Sequence, residues 1–245
     1  IDLLAIAPTY IPRTVYTSDR DAPSYQQKMP RWNGRPLFEY FRHCHRKRAG
    51  IAGERTLIPA IIPPGVESLG TLTTIAFESS QEMTLCTAVC SSLVGDFVIR
   101  STGRSDIFAG DLRRVPAVAP ESWWASRLLS RALRLNCLTE PYLHLWEELY
   151  DTSWQSDMPC QSDRRLSTWS DLTSSWSLDS ALRSPFERRQ AEVEIDVLVS
   201  QNVGISVDEL VEIFRIAFPV LAEHDHEYLY DQHGRIVPVA STVNG

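Results

Sequence analysis

Lysine is almost missing from this 245-residue chain, in which only Lys28 and Lys47 accompany 22 arginines. Many nuclease centres place an acidic residue two positions before a catalytic lysine, and neither lysine here has one. Long apolar runs are missing as well, because none approaches the roughly 18 to 20 residues of a membrane-spanning helix. These absences argue against a lysine-dependent nuclease and against a membrane protein.

Cysteine is scarce and irregularly placed. The chain has five cysteines, an odd number without regular spacing, whereas secreted disulfide frameworks use even sets. We therefore expect a reducing, cytoplasmic environment. The first residue is Ile1, with neither an initiator methionine nor a signal-type leader, so we expect the sequence to be a piece of a longer protein.

Catalytic signatures are also missing. The only pair of adjacent prolines, Pro63-Pro64, lies between Ile62 and Gly65. The corresponding loop of adenine-N6 methylases has a polar residue before its prolines and an aromatic residue after them, which hold the flipped base. No G-x-G-type loop follows a candidate strand, so no pocket for S-adenosylmethionine is visible. We assign no catalytic, cofactor-binding or metal-binding residue to this chain.

The remaining composition is that of a globular protein. Hydrophobic residues make up 43% and charged residues 22% of the chain, enough for one large domain or two small ones. The pattern predicts an α+β fold, with a small mixed sheet and helices followed by a mostly helical C-terminal part. The predicted units are an α+β module over 1–120, a helical connection over 121–150, an irregular Ser- and Trp-rich linker over 151–185, and a helical pair with a short hairpin over 186–245.

Periodicity, caps and breakers predict the individual elements. Ser206 and Glu209 form a capping-box pattern at the start of one helix. His233-Gly234 marks a turn between two short extended runs. Further helices are predicted over 36–49, 80–99, 121–136, 139–150 and 186–202, and strands over 56–62 and 71–77.

Charge is distributed unevenly along the chain. The net charge is −7, but residues 1–60 carry +5, residues 61–135 are neutral and residues 136–245 carry −12. A basic end of this kind can meet phosphates, whereas an acidic end repels them. Arginine also offers a planar fork that suits phosphate or guanine. A GC-rich genome is the alternative explanation for the many arginines.

The predicted helix over 36–49 would present a basic face. Arg42 and Arg46 lie one helical turn apart, as do His43 and Lys47. Such a face suits the phosphate backbone of DNA, so Arg42, Arg46 and Lys47 are predicted to hold phosphates. An ordinary solvated helix face is the alternative.

The segment before this helix, Arg31-Trp32-Asn33-Gly34-Arg35, combines planar hydrogen-bonding groups with a turn. Arginine can bind guanine and asparagine can bind adenine in the major groove, so we expect base contacts here. A structural loop around a buried tryptophan is the alternative. The predicted DNA-contacting residues are Arg31, Asn33, Arg35, Arg42, Arg46, Lys47, Arg55, Arg100 and Arg104.

The run His43-Cys44-His45 carries side chains that can bind metals. A zinc site that joins this run to Cys86 and Cys90 is one interpretation. On a helix, however, residues two positions apart face away from each other. The predicted helix therefore argues against such a site.

Several segments resemble a family of very large bacterial adenine-specific (N6) DNA methyltransferases. The most specific is ERTLIPAIIPPG over 54–65, which is similar to a recurrent motif in the specificity region of those proteins. The linker over 151–185 matches nothing in that family. The other similar segments are 29–36 with the Tyr40, Phe41 and Arg42 that follow it, then 91–100, 113–116, 187–196, 218–221 and 228–235.

The resemblance implies a role in DNA recognition. The family belongs to restriction-modification and phage-defence systems of the BREX, DISARM or fused restriction–methylation kind. The resemblance implies that this chain positions double-stranded DNA, while the protein's own N-terminal methyltransferase domain flips the adenine out of the duplex and methylates it. That domain lies outside this sequence and is expected to bind S-adenosylmethionine. Other proteins of the defence system are further candidate partners.

Two other hypotheses compete with DNA recognition. The net charge of −7 and the acidic second half favour a protein-interaction scaffold without DNA contact. A stand-alone enzyme would need a pocket with an acid, a base or a metal cluster. A basic patch assembled from residues 31–55 and 100–114 would favour DNA binding, whereas scattered charges would favour the scaffold.

Overall fold

The fold is described from a computed structural model, over residues 2–11, 21–159 and 162–237. In these ranges small antiparallel sheets combine with helices, which is the α+β class with a helical C-terminal part that the sequence predicts. The helices are α1 Ala22–Gln26, α2 Ser80–Ser91, α3 Leu93–Arg100, α4 Trp123–Asn136, α5 Leu143–Leu149, α6 Pro185–Asn202, α7 Val207–Ala217 and α8 Pro219–Glu227. The strands are β1 Arg31–Trp32, β2 Arg35–Pro36, β3 Arg42–Arg46, β4 Pro59–Ile62, β5 Leu72–Ala76, β6 Leu229–Tyr230 and β7 Ile236–Val237.

A three-stranded sheet replaces the helix that was predicted over 36–49. Its strand order is β4-β3-β5, and the central strand pairs His43 with Ile61 on one side and with Ile75 on the other. The predicted helix is therefore wrong. Histidine and cysteine have low helix propensity, and two neighbouring strands offer hydrogen bonds to both edges of this segment. Pairing with these strands thus outweighs Pro36 and Gly50, which suit the start and the end of a helix.

The sheets are antiparallel throughout the described ranges rather than mixed. Besides the three-stranded sheet there are two hairpins, β1–β2 and β6–β7. The second hairpin turns at Asp231–Gly234 and confirms the predicted turn at His233-Gly234.

The helix predicted over 80–99 is broken into α2 and α3, which meet at an angle of 71°. Ser92 makes the break: its backbone is extended, and its hydroxyl accepts the Gly95 amide at 3.0 Å as the cap of α3. Gly95 is required at the bend, because a Cβ there would lie 2.2 Å from the carbonyl oxygen of Val89. Neither helix, nor any other single described helix, is long and apolar enough to cross a membrane, although the bent pair meets the length and composition requirements.

One hydrophobic core crosses the predicted unit boundaries at residues 120 and 185. Helix α2 packs on α4, and α4 packs on α6, so that Leu85, Leu128 and Ile195 share a core. The segment over 151–185 holds only two short 3₁₀ turns in its described part, Thr152–Ser156 and Leu178–Ser180. Two of its tryptophans, Trp154 and Trp169, are nevertheless buried inside the core, and the half-buried Trp176 packs against it.

The C-terminal helices follow their local signals closely. Ser184 with Glu187, and Ser206 with Glu209, form the capping boxes of α6 and α7. Pro219 follows the end of α7 and begins α8, since proline fits the first turn of a helix.

Candidate nucleic-acid interface

The β1–β2 hairpin presents the three predicted base-contacting residues together. Trp32 pairs with Arg35 across a two-residue turn. Asn33 and Gly34 have φ angles of 48° and 78°, as a type I′ turn requires, and Asn-Gly is the preferred sequence for it. Arg31, Asn33 and Arg35 are all exposed. The hairpin therefore projects two guanidinium groups and one amide from a single tight turn.

Internal contacts orient the two arginines of the hairpin. The Arg31 guanidinium donates to the carbonyl of Gly34 through Nη2 at 2.7 Å and Nε at 3.2 Å. The Arg35 guanidinium lies 4.6 Å from the ring centroid of Tyr40, and its Nε lies 3.4 Å from the Glu39 carboxylate. With the Arg35 side chain 58% exposed, the ion pair is a weak surface contact. Both arginines are held in place and still face solvent.

The tryptophan of the hairpin is half-buried rather than part of the core. Its ring meets Tyr40 edge to face at a centroid distance of 5.3 Å, and the Tyr40 hydroxyl donates to the Trp32 carbonyl at 3.0 Å. The structural-loop interpretation therefore describes how the turn is supported, while the side chains of Arg31, Asn33 and Arg35 stay exposed.

A cleft of about 500 Å³ opens beside the hairpin, and we call it the hairpin cleft. Aromatic rings form much of its wall, and Asn33, Arg35, Glu39 and Glu78 line it as polar groups. Flat rings stack on nucleobases, amides and guanidinium groups bind base edges, and carboxylates accept the exocyclic amino groups of bases. The four aromatic residues of the hairpin cleft are Trp32, Tyr40, Phe41 and Phe77.

Arg42 does not lie on an exposed face. Its side chain is 1% exposed, its guanidinium donates to the Val66 carbonyl, and it lies 3.9 Å from the Glu67 carboxylate. Burial lowers the pKa of Arg42. The structure therefore buries the guanidinium that was predicted to hold a phosphate, because a strand in the middle of a sheet buries a residue that a surface helix would have exposed.

Arg46 and Lys47 lie at the other end of β3. Arg46 is half-buried and lines a cleft of about 580 Å³ together with Arg55 and Arg188. The Lys47 ammonium lies 5.0 Å from the ring centroid of Phe108. Both side chains are half-buried, so each keeps part of its surface exposed to solvent.

Arg55 and Arg100 act as structural residues. Arg55 lies 3.4 Å from the Asp196 carboxylate. Arg100 donates to the Thr56 hydroxyl at 3.0 Å and to the Ala217 carbonyl. Both guanidinium groups also lie over the ring of Phe218. Arg55 and Arg100, which were predicted to contact DNA, therefore join distant parts of the chain, and their DNA contacts stay a prediction.

Arg104 stays accessible, with its side chain 50% exposed and 3.1 Å from Asp111. Its loop runs beside the end of β3, where the Ile107 amide donates to the Lys47 carbonyl at 2.7 Å. Arg48, which the sequence did not single out, is 76% exposed there. We call Lys47, Arg48 and Arg104 the basic loop patch. Since β3 has five residues at about 3.3 Å each, roughly 16 Å separates this patch from the hairpin end of the strand.

Sequence reasoning missed part of the hairpin cleft. Phe77 follows β5 and lies 45 positions after Trp32, so no local spacing could have joined the two. Arg48 could have been predicted from the sequence, because it directly follows Lys47 and ends the basic run.

Comparisons of the chain with protein-family models, with curated proteins and with solved structures find no match. The function is therefore inferred from the site.

Proposed function

We propose that this chain is the DNA-recognition portion of a bacterial adenine-N6 DNA methyltransferase. The β1–β2 hairpin contacts base edges in double-stranded DNA, and the basic loop patch contacts phosphates. The chain positions the duplex, and a separate N-terminal catalytic domain, which holds S-adenosylmethionine, flips and methylates the adenine. The proposed setting is a cytoplasmic restriction-modification or phage-defence system, in which other defence proteins are partners.

The exposed Arg31-Asn33-Arg35 turn beside the hairpin cleft carries the DNA part of this proposal. A two-residue hairpin is narrow enough to enter a major groove, which admits a two-stranded ribbon. Arginine and asparagine are the side chains that bind guanine and adenine edges. The basic loop patch lies roughly 16 Å from the hairpin end of β3, a distance that spans several phosphates of the DNA backbone. The acidic charge lies mainly in residues 136–245, away from the segments that carry these contacts in the sequence.

The methyltransferase part of the proposal comes from the resemblance of the ERTLIPAIIPPG segment to the specificity region of that family. In the structure the start of this segment is fixed to α3: the carboxylate of Asp96 accepts the amides of the buried Thr56 and Leu57 at 2.9 Å and 3.2 Å. In this proposal the ERTLIPAIIPPG segment stabilises the fold that carries the hairpin and does not itself contact the DNA bases.

A salt-series titration tests the DNA part. The full chain is titrated with fluorescently labelled, mixed-sequence duplex DNA at several salt concentrations. We expect affinity to fall steeply with salt, because arginine and lysine release counterions from phosphates. Lys47→Ala and Arg104→Ala should each lower the slope of log K against log salt by about 1.

Arg215→Ala is the matched control, because Arg215 is exposed on α7, at the acidic end of the chain. It should leave the slope unchanged. A folded wild-type chain that binds no DNA at low salt would refute the proposal. The proposal would also be refuted if Lys47→Ala and Arg104→Ala gave the same slope of log K against log salt as Arg215→Ala.

A protein-interaction scaffold is the second candidate function. Apolar side chains are exposed in the acidic C-terminal part, with Ile216 at 80% and Leu229 at 64%. Such residues occur at protein interfaces. The titration separates the two candidates, since a scaffold without DNA contact predicts no salt-dependent binding by any of these variants.

A further inference from the structure

A buried polar chain connects helix α2 with the central strand. The Thr87 hydroxyl donates to the Met83 carbonyl at 2.9 Å, and its oxygen lies 2.9 Å from His43 Nδ1. His43 Nε2 lies 3.1 Å from His45 Nδ1, and His45 Nε2 lies 3.4 Å from the Ile107 carbonyl. Both histidines are fully buried. They share one face of the sheet because residues two apart on a strand point the same way.

This polar chain is one proton short. It has four contacts, and each needs one hydrogen, but one hydroxyl and two neutral imidazoles supply only three. With Thr87 donating to Met83 and His45 donating to Ile107, the single hydrogen of His43 serves one of its two contacts. The other nitrogen of His43 then keeps a bare lone pair.

Two cysteines lie beside this histidine. Cys86 and Cys90 are one turn apart on α2, and one nitrogen of His43 and the two sulfur atoms all lie within 4.8 Å of one another. Cys90 is fully buried and Cys86 is half-buried, which leaves an approach from the Cys86 side.

We propose that His43, Cys86 and Cys90 bind a zinc ion that joins α2 to β3. Two thiolates and one imidazole are typical zinc ligands, and two thiolates neutralise the charge of Zn²⁺, which a buried site requires. The bare nitrogen of His43 binds the metal, and its other nitrogen donates to His45. A metal-bound histidine commonly makes such a second hydrogen bond. Three protein ligands leave one position of the tetrahedral ion for water or for the Thr87 hydroxyl.

Metal analysis of the full chain tests the site. The protein is purified under reducing conditions, incubated with zinc and freed of loose metal, and its zinc content is measured by mass spectrometry. We expect about one zinc per chain. Cys86→Ala and Cys90→Ala should each lower the content at least fivefold. Cys137→Ala, which removes another buried cysteine outside the cluster, should not change it.

Cobalt substitution of the wild-type chain keeps the test independent of how the variants fold. Cobalt bound by two thiolates gives an intense sulfur-to-metal charge-transfer band in the near ultraviolet. Added zinc should abolish this band, because zinc competes for the same ligands. A wild-type chain with no bound zinc and no thiolate–cobalt band overturns the proposal, as does zinc content that Cys86→Ala and Cys90→Ala leave unchanged.

Discussion

The guanidinium of Arg55 lies 3.4 Å from the carboxylate of Asp196, although 141 residues separate the two in sequence. The same carboxylate accepts the Leu93 amide at the start of α3 at 2.6 Å. One buried acidic side chain on α6 thus joins the ERTL segment to the bend between α2 and α3. The most distinctive motif of the sequence is therefore a junction between the sheet and the C-terminal helices.

Removal of one partner of this pair should destabilise the protein. Arg55→Met leaves the Asp196 carboxylate buried without its cation, so we expect the free energy of unfolding to fall by about 3 kcal/mol. Arg48→Met removes an exposed ion pair to Asp106 and should cost less than about 0.5 kcal/mol. Urea unfolding of both variants measures the difference. Equal losses would show that the Arg55 pair is no more important than a surface contact.

The free energy of unfolding should depend on pH through the titration of the Asp196 carboxyl group. Burial outweighs the attraction of Arg55 and raises the pKa of Asp196 to about 6, above the roughly 3.9 of an unfolded chain. The folded state therefore favours the protonated acid. Protonated Asp196 therefore adds about 3 kcal/mol to the free energy of unfolding below pH 4, and this stabilisation is lost as the pH rises through 6.

Asp196→Asn should remove this part of the pH dependence. The measurement is urea unfolding of wild type and variant at several values between pH 4 and pH 7, with Asp106→Asn as the control. The difference between wild type and Asp196→Asn should grow as the pH rises. Parallel curves over this range would contradict the assignment.

The bend at Ser92 should not tolerate a larger residue at position 95. Alanine is a better helix former than glycine, but its Cβ would lie 2.2 Å from the Val89 carbonyl. We expect Gly95→Ala to lower the free energy of unfolding by about 2 kcal/mol or more. Gly110→Ala is the control, because nothing lies within 4 Å of that added Cβ. A neutral Gly95→Ala would mean that α2 and α3 can readjust at the bend.

The turn residue Asn33 allows base recognition to be tested without disturbing the hairpin. Glycine adopts positive φ freely, so Asn33→Gly should preserve the turn and the thermal stability of the chain. We expect its affinity for mixed-sequence DNA to stay unchanged. Its preference for a duplex selected from a randomised pool should fall at least about fivefold, since a good bidentate contact is worth roughly 1 to 3 kcal/mol. An unchanged preference would assign Asn33 to the turn alone.

Local signals in the sequence were enough for much of the helical part. The capping box of Ser206, the apolar stripe of α6 and the turn at Gly234 involve residues within a few positions of each other. Such patterns depend on backbone hydrogen bonds and periodicity, which act over one or two turns of chain. The α+β class and the helical C-terminal part could therefore be predicted from the sequence.

The candidate sites depended on contacts between distant residues. A basic-looking run became the central strand β3 because β4 and β5 pair with it, and that pairing buried Arg42 while it placed His43 beside Cys86 and Cys90. Arg55 and Arg100 were drawn into buried contacts with Asp196 and Ala217. Composition cannot distinguish an arginine that meets a phosphate from one that holds a buried carboxylate, because the same guanidinium serves both. Only the tertiary structure decides, through burial and through which partner lies within hydrogen-bonding distance.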